Sequence, residues 1–354
     1  MLEELFEGSV KKSQAIERKI VLEAGRFLIV APNGAGATSL LFNALHTLKP
    51  STYLYIDWED FRIDRARLID ELAPFCAKHA ITTLAIDHYD PVLPLPNVPT
   101  LYLTSTRPLS LEGFETLMLW PLDFEEFLAI DSRYESIETA FSHFLQIGGF
   151  PQMIHVAQAN RVRVLQNLLT VHHSALEIAI LQYVAGQLGH KLSLFQLFER
   201  LKATMKLSKD FFYKTFYDLI ETRMLLQLER YAHPKAPKKL YLIDFALKNA
   251  LSFQKNFSKL FENLILLELL KSGHLCYYDE GIDFYLPDEN RVVMAMPFAN
   301  DTTLFALMQR IEGWLLAHEV SRVEVVTMSS EAQIQHPYVR VEMLPFSRWA
   351  LIES

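Results

Sequence analysis

The sequence predicts an α/β fold built on a parallel sheet, and two observations support this prediction. Short apolar runs alternate with amphipathic helical segments over the first third of the chain. The first run, Arg26 to Val30, is followed by a glycine-bearing loop and then by a helical segment from Thr38 to Leu48. Strands that are apolar on both faces are typical of parallel sheets covered by helices, and such sheets bind ligands at the carboxyl ends of their strands.

The loop after the first strand has the layout of a phosphate loop, whose pattern is G-x-x-x-x-G-K-[ST]. The second glycine is present as Gly36 and the hydroxyl as Thr38, but Ala31 replaces the first glycine and Ala37 replaces the lysine. Backbone N–H groups at a helix N-terminus attract phosphate even without a side-chain cation. The predicted nucleotide-binding residues are Asn33, Gly34, Ala35, Gly36, Ala37, Thr38 and Ser39.

Later apolar runs also end in polar side chains. The run 82–88 ends in Asp87 and His88, and the run 100–105 ends in Ser105. An aspartate at such a strand end holds Mg²⁺ in many phosphate-loop proteins, so Thr38 and Asp87 are the predicted metal-binding pair. The alternative is that Asp87 only caps the turn that follows its strand.

Composition narrows the classes of function. The chain has 354 residues and a formal charge of −8, which argues against a surface built wholly to hold nucleic acid. Two cysteines are too few for a disulfide framework and suit a reducing compartment. No stretch approaches the roughly 20 apolar residues that cross a bilayer. We therefore expect a cytoplasmic protein that does not act in a membrane.

The order of segments resembles a family of bacterial and archaeal AAA+-like ATPases, in which a P-loop domain precedes a winged helix and a C-terminal nuclease-like domain of unknown function. The resemblance covers nearly the whole chain and rests on short motifs in the family's order. They are APNGAGATSLL, YIDWEDFR at 55–62, AIDHYD at 85–90, LTSTR at 103–107, PLDFEEF at 121–127, GGFP at 148–151, YLID at 241–244, LFEN at 260–263 and DF at 283–284.

The resemblance implies four parts and one further site residue. The parts are a P-loop domain at 1–136, a helical lid at 137–190, a winged helix at 191–245 and a restriction-endonuclease-like α/β domain at 246–354. The motif LTSTR would form the strand that senses bound phosphate, with Ser105 as the sensor. The implied cofactor is ATP or ADP with Mg²⁺.

Three departures from the family pattern affect hydrolysis. Ala37 replaces the loop lysine, His88 replaces the glutamate that orients water, and Phe114 stands where the family has an arginine. Losing an arginine finger alone costs about 10³- to 10⁵-fold in rate. We therefore predict no catalytic residue and little or no turnover. The alternative is a slow ATPase in which Lys12 or Arg107 supplies the missing cation.

The segment 192–244 has the order helix, turn, helix and hairpin, which is typical of a winged helix. Its lysines offer phosphate contacts, so DNA is one predicted partner. The second helix, 209–223, is instead crowded with aromatic side chains and has no Arg, Asn or Gln before Arg223 to contact base edges. Such a helix favours an unidentified protein partner.

The C-terminal part has the element order of a restriction-endonuclease-like core. Glu262 and Asp283 match two acidic positions of such a centre, which binds Mg²⁺ and activates water with a lysine on the next strand. That strand offers Met294, Ala295 and Met296 instead. Glu262 and Asp283 are therefore interpreted as a nuclease-like remnant in a packing module, in which the strand at 291–296 is buried on both faces.

Overall fold

The computed structural model describes residues 1–8, 16–130 and 136–353, which form two compact units. The first unit comprises Met1–Leu122 with Phe150–Gln152, and the second comprises Asp123–Gly149 with Met153–Ser354. The four-part division predicted from the sequence is finer than this one and stays a prediction. No helix in the described ranges is both long and apolar enough to span a bilayer.

The first unit is a five-stranded parallel sheet with helices on its faces. In chain order its elements are α1 Leu2–Glu7, β1 Arg26–Val30, α2 Ala37–His46, β2 Tyr53–Asp57, α3 Arg65–Lys78, β3 Thr83–Asp87, β4 Thr100–Ser105 and β5 Glu115–Met118. The strand order is β2-β3-β4-β1-β5, and every pairing is parallel. The predicted parallel α/β sheet is confirmed, and β1, which leads into the glycine-bearing loop, lies between β4 and β5.

Both faces of this sheet are buried, and successive side chains of β1 pack into different apolar clusters. Leu28 and Val30 belong to one cluster, and Ile29 belongs to the other. The register places Val30 beside Ser105 and Asp57 beside Asp87. The polar ends of β2, β3 and β4 and the start of the loop therefore lie along one edge of the sheet.

The second unit begins with helices and a small sheet. Its first elements are α4 Phe124–Ile130, α5 Ile137–Ile147, α6 Arg161–His172, α7 Ala175–Gly186, β6 Lys191–Leu192, α8 Leu194–Lys202, α9 Lys209–Glu221, β7 Leu225–Leu228, β8 Lys238–Leu242 and α10 Leu247–Leu251. The helix–turn–helix–hairpin order is α8, α9, β7 and β8, and the short β6 pairs with β8 as a third strand.

A six-stranded mixed sheet follows in the same unit. The remaining elements are α11 Phe257–Lys271, β9 Tyr277–Asp279, β10 Ile282–Leu286, β11 Arg291–Ala295, α12 Asp301–Ala317, β12 Arg322–Thr327, β13 Ala332–Gln335, β14 Arg340–Pro345 and α13 Phe346–Glu353. The strand order is β13-β14-β12-β11-β10-β9. Val292, Val293 and Met294 of β11 are all buried, so the predicted two-sided burial of this strand is confirmed.

Candidate phosphate-binding site

The loop between β1 and α2 curls because two glycines take left-handed backbone angles. Gly34 has φ +91° and Gly36 has φ +97°, a region that glycine enters without steric cost. Gly36 is also the N-cap of α2 and has no side chain with which to cap it. The first N–H groups of α2 are therefore left for another acceptor, and the helix dipole favours an anionic one.

A cavity of about 300 Å³ opens in front of this loop. Its wall includes six of the seven predicted loop residues, namely Asn33, Gly34, Gly36, Ala37, Thr38 and Ser39. The seventh, Ala35, is fully buried behind the loop. Asp87, His88, Thr104 and Ser105 line the cavity from the ends of β3 and β4. The predicted nucleotide, metal and sensor residues of the first unit thus surround one space.

Asp87 is enclosed by hydroxyl groups. Thr38 Oγ1 donates to Asp87 Oδ2 at 2.6 Å, the Tyr55 hydroxyl donates to the same oxygen at 3.1 Å, and Thr104 Oγ1 donates to Oδ1. Asp87 is only 1% exposed, and these bonds satisfy both of its oxygens. Burial, followed by the charge of Asp87, raises the pKa of Tyr55 well above its usual value. Tyr55 therefore stays a hydroxyl donor.

Thr38 and Asp87 suit a magnesium ion by the chemistry of their oxygens. Mg²⁺ takes few ligands from protein and fills its other positions with water and phosphate oxygens. Among the described residues there is no cluster of three or more His, Cys, Asp or Glu side chains that would hold a metal alone.

His88 brings a positive charge to the cavity. Its Nδ1 lies 3.0 Å from Asp57 Oδ1, and its backbone N–H donates to Thr104 Oγ1 at 2.9 Å. The hydrogen bond to Asp57, aided by the charges of Asp87 and Glu59, outweighs burial and raises the pKa of His88 to about 9. The imidazole is consequently protonated at neutral pH, in a chain whose loop lacks its lysine.

The two cations that the sequence offers in place of the loop lysine are Arg107 and Lys12. Arg107 is exposed and does not line the cavity, and Lys12 falls outside the described residues. Arg18 was missed, yet its guanidinium donates to the carbonyls of Ala35 at 2.9 Å and Trp120 at 2.6 Å. Phe114 does not line the cavity, and its ring centre is 5.8 Å from the Arg26 guanidinium.

The GGFP motif reaches the cavity in a way that its sequence does not reveal. Pro151 and Gln152 line the wall, and a Cβ on Gly36 would lie 3.4 Å from Pro151 Cγ. Gly148, the first residue of the motif, ends α5 as its C-cap, with φ +78°. In the second unit, the N–H of Gly149 donates to Asp244 Oδ2 at 2.6 Å.

The predicted nuclease-like remnant forms a separate cluster in the second unit. Glu262 Oε1 accepts from Lys239 Nζ at 2.9 Å and from the Tyr241 hydroxyl at 2.5 Å, and Lys259 contacts Glu262 Oε2. Lys239 Nζ also lies 3.8 Å from Asp283 Oδ1. The two acids are thus brought together, but around ammonium groups from β8 and α11 that the sequence comparison did not anticipate.

The charges in this cluster shift the pKa values of Glu262 and Asp283 in opposite directions. Burial raises the pKa of Glu262, but Lys239, Lys259 and its hydrogen bonds outweigh burial, and the net shift is downward. Burial and the neighbouring Glu262 charge raise the pKa of Asp283 to about 6. Asp283 Oδ2 accepts the Ala295 N–H at 3.0 Å. A divalent cation between these acids would have to displace an ammonium group.

Comparisons with known proteins identify relatives without assigning an activity. No protein family model matches the chain. The chain is 23% identical over 406 aligned positions to uncharacterized protein MJ1544 of Methanocaldococcus jannaschii, covering 96% of this chain and 92% of that protein. The similarity extends over nearly the full length of both proteins.

A solved structure with partial similarity is the signal transduction ATPase with numerous domains PH0952 of Pyrococcus horikoshii, which has a tetratricopeptide repeat sensor. The match has 11% identity and a TM-score of 0.30, and it covers 74% of this chain and 47% of the other. This chain therefore spans about half the length of that protein.

Proposed function

We propose that the first unit binds ATP or ADP with Mg²⁺ and hydrolyses it slowly or not at all, as an AAA+-like P-loop module with altered motifs. The observation that carries the proposal is the cavity in which the start of α2, the Thr38–Asp87 pair and the charged His88 meet. Helix N–H groups, a cation and a metal-binding pair are the parts that phosphate binding requires. Mg²⁺ would supply charge neutralisation of the phosphate oxygens there.

Binding without the loop lysine relies on a charge from another strand. A protonated imidazole on the cavity wall attracts phosphate oxygens, and charge-assisted hydrogen bonds are about twice as strong as neutral ones. Asp57 keeps that proton on His88 through the 3.0 Å contact. His88 therefore replaces part of the electrostatic role of the lysine while its side chain remains anchored to β2.

The same protonation argues against hydrolysis. A general base must accept a proton from the attacking water, and a protonated imidazole has no free nitrogen for this. Phe114 supplies no charge to a transferring phosphoryl group, and Arg107 does not line the cavity. His88 and Phe114 therefore favour a nucleotide-responsive or structural module over the alternative of a slow active ATPase.

Titration calorimetry with Mg-ATP tests the proposal, using wild type, Thr38→Ala and the control Thr47→Ala. Thr47 lies at the other end of α2, is exposed and hydrogen-bonds only to the Ala44 carbonyl. We expect binding by wild type and Thr47→Ala, weakened about tenfold or more in Thr38→Ala because the metal-binding hydroxyl is lost. Phosphate release should stay at background. Rapid turnover that Thr38→Ala abolishes would contradict the claim of slow or absent hydrolysis, and absence of ATP binding by wild type would contradict the whole proposal.

For the second unit we propose a winged helix formed by α8, α9 and the β7–β8 hairpin, with a protein as the favoured partner and DNA as the alternative. Two of its lysines are already paired, because Lys238 contacts Glu229 and Lys239 contacts Glu262. On α9, Phe211 is 56% exposed and Tyr217 is 54% exposed. Exposed aromatic side chains are typical of protein contacts, whereas phosphate contacts need free cations.

The mixed sheet with α11 would then be the nuclease-like domain, acting in packing and not in cleavage.

Two free, buried cysteines, Cys76 and Cys276, support the proposed cytoplasmic setting.

Binding of a labelled DNA duplex to the full chain, measured at two salt concentrations, distinguishes DNA from protein as the partner of the winged helix. Affinity that falls steeply with salt would favour DNA, and no affinity at low salt would favour protein.

A further inference from the structure

A second cavity, of about 600 Å³, lies within the second unit and plays no part in the proposed nucleotide site. It is bordered by α5, α6, α10 and the start of α11. Three cationic side chains line it, namely Arg161, Lys248 and Lys255, and its wall contains no Asp or Glu. This concentration of positive charge stands out in a chain whose formal charge is −8.

The three cations lack acidic partners. Among the described residues, none of them has a carboxylate oxygen within 4.0 Å, although ion pairs are frequent elsewhere in this unit. Arg161 donates to Gln146 Oε1 at 2.9 Å, and its other close contacts are a histidine nitrogen and the Val156 carbonyl. None of these partners is a carboxylate, so they orient the guanidinium without pairing it with a negative charge.

Lys248 is the most informative of the three. It is only 2% exposed, and its ammonium donates to the backbone carbonyl of Gln254. Within the described part of the chain its two remaining N–H groups have no partner, and burial lowers the pKa of Lys248. Buried charges are ordinarily paired, because an unpaired one is costly to remove from water. An anion in the cavity would remove that cost.

The start of α11 adds to the positive electrostatic potential in this cavity. This helix of 15 residues begins at Phe257, and the Asn256 side chain caps it by accepting the Lys259 N–H at 3.3 Å. Asn256 and Phe257 both line the cavity, so the positive end of the helix dipole faces it. The dipole and the buried ammonium are independent features, and both favour a negative group.

The rest of the wall combines apolar side chains with uncharged polar ones. Leu145, Val162, Phe257 and Leu260 line the cavity beside the cations. A volume of a few hundred Å³ with apolar walls and a few convergent polar groups is typical of sites for small organic ligands. The ligand that fits has a charged head and a hydrophobic body.

We propose that this cavity binds a small organic anion, a phosphate or carboxylate head on an apolar body, with Lys248, Arg161 and Lys255 around the head. The apolar residues would enclose the body. The site is independent of the nucleotide cavity, since every residue that lines it belongs to the second unit.

Calorimetric titration of the full chain with phenyl phosphate, inorganic phosphate and phenol tests the proposal, because these probes supply head and body together, the head alone and the body alone. We expect phenyl phosphate to bind more tightly than either part. Lys248→Met should weaken it about tenfold or more, since a charge-assisted hydrogen bond is lost. Lys235→Met, at an exposed lysine in the same unit, is the matched control and should bind like wild type.

Two further variants keep the test decisive. Lys255→Met removes an exposed cation, so it should fold normally and still weaken binding. Lys248→Met should unfold at the same temperature as wild type or higher, and should lose the upward shift that phenyl phosphate gives to wild type. His88→Gln, in the first unit, should keep phenyl phosphate binding. Equal affinity in wild type, Lys248→Met and Lys255→Met would overturn the proposal, as would loss of all binding in His88→Gln.

Discussion

His88 Nδ1 lies 3.0 Å from Asp57 Oδ1, and this contact between the ends of two neighbouring strands supplies the cation of the candidate nucleotide site. Asp57 in turn has a lowered pKa, chiefly because it accepts the hydrogen bond from His88. The two groups therefore stabilise each other's charged forms.

Asp57→Asn should lower the pKa of His88 from about 9 toward the ordinary value of about 6.5, because the largest cause of its elevation is lost. Proton NMR of the His88 ring during a pH titration measures the change. A raised pKa stabilises the fold below pH 6.5, and this contribution is lost as the pH rises through 9. The variant should therefore show a flatter stability curve between these values. An unchanged His88 titration would contradict the role given to Asp57.

Ala37→Lys should strengthen Mg-ATP binding about tenfold, since an ammonium at the first position of α2 would meet the phosphate oxygens. Fluorescence competition against a labelled ATP analogue measures the gain. The control Ala44→Lys adds the same charge later in α2, at a position that does not line the cavity. Equal gains in the two variants would point to general charge attraction and against a phosphate loop.

Gly36→Ala should destabilise the first unit by about 1–2 kcal/mol, because alanine is strained at φ +97°. It should also weaken ATP binding by changing the direction of the loop N–H groups. Gly313→Ala is the matched control, since its Cβ meets nothing within 4 Å and it lies inside α12, where alanine favours the helix by about 1 kcal/mol. Urea unfolding gives both values, and a loss in Gly313→Ala equal to that in Gly36→Ala would refute the strain argument.

Much of the first unit follows from local sequence. Apolar runs with both faces buried predict a parallel sheet, and the loop and strand ends identify most of the residues lining the cavity. The local sequence does not predict that His88 is a cation of this site, because its positive charge depends on Asp57, which is 31 positions earlier in the chain. One sequence feature indicates that Asp57 and His88 are close: both follow apolar runs, and the carboxyl ends of parallel strands lie at the same edge of a sheet.

The second unit shows where sequence patterns are insufficient. The order of elements predicts that Glu262 and Asp283 occupy two acidic positions of a nuclease-like centre, and the apolar pattern predicts that β11 is a buried strand. Lys239 belongs to the hairpin of the segment 192–244, yet its ammonium contacts both acids. No local pattern predicts this contact, because it joins a strand of the small sheet to a helix and to a strand of the larger one.

Glu262→Gln should destabilise the second unit by about 2–4 kcal/mol, since it leaves the buried Lys239 without its nearest carboxylate. Thermal and urea unfolding measure the loss, and Glu199→Gln, at an exposed position on α8, should change stability little. Neither variant nor wild type should cleave supercoiled or linear DNA in Mg²⁺ or Mn²⁺. Cleavage by wild type that Glu262→Gln abolishes would show that Glu262 belongs to an active nuclease centre and would contradict the packing role.

The dependence of Mg-ATP affinity on pH tests the central claim most directly. Wild type, His88→Gln and the exposed control His46→Gln should be titrated from pH 7.5 to 10. We expect wild type and His46→Gln to bind Mg-ATP with constant affinity up to about pH 8 and to lose this affinity with a midpoint near pH 9, as His88 loses its proton. His88→Gln should bind weakly and with no such midpoint. Equal affinity and the same pH profile in all three proteins would contradict the claim that His88 supplies the missing cation.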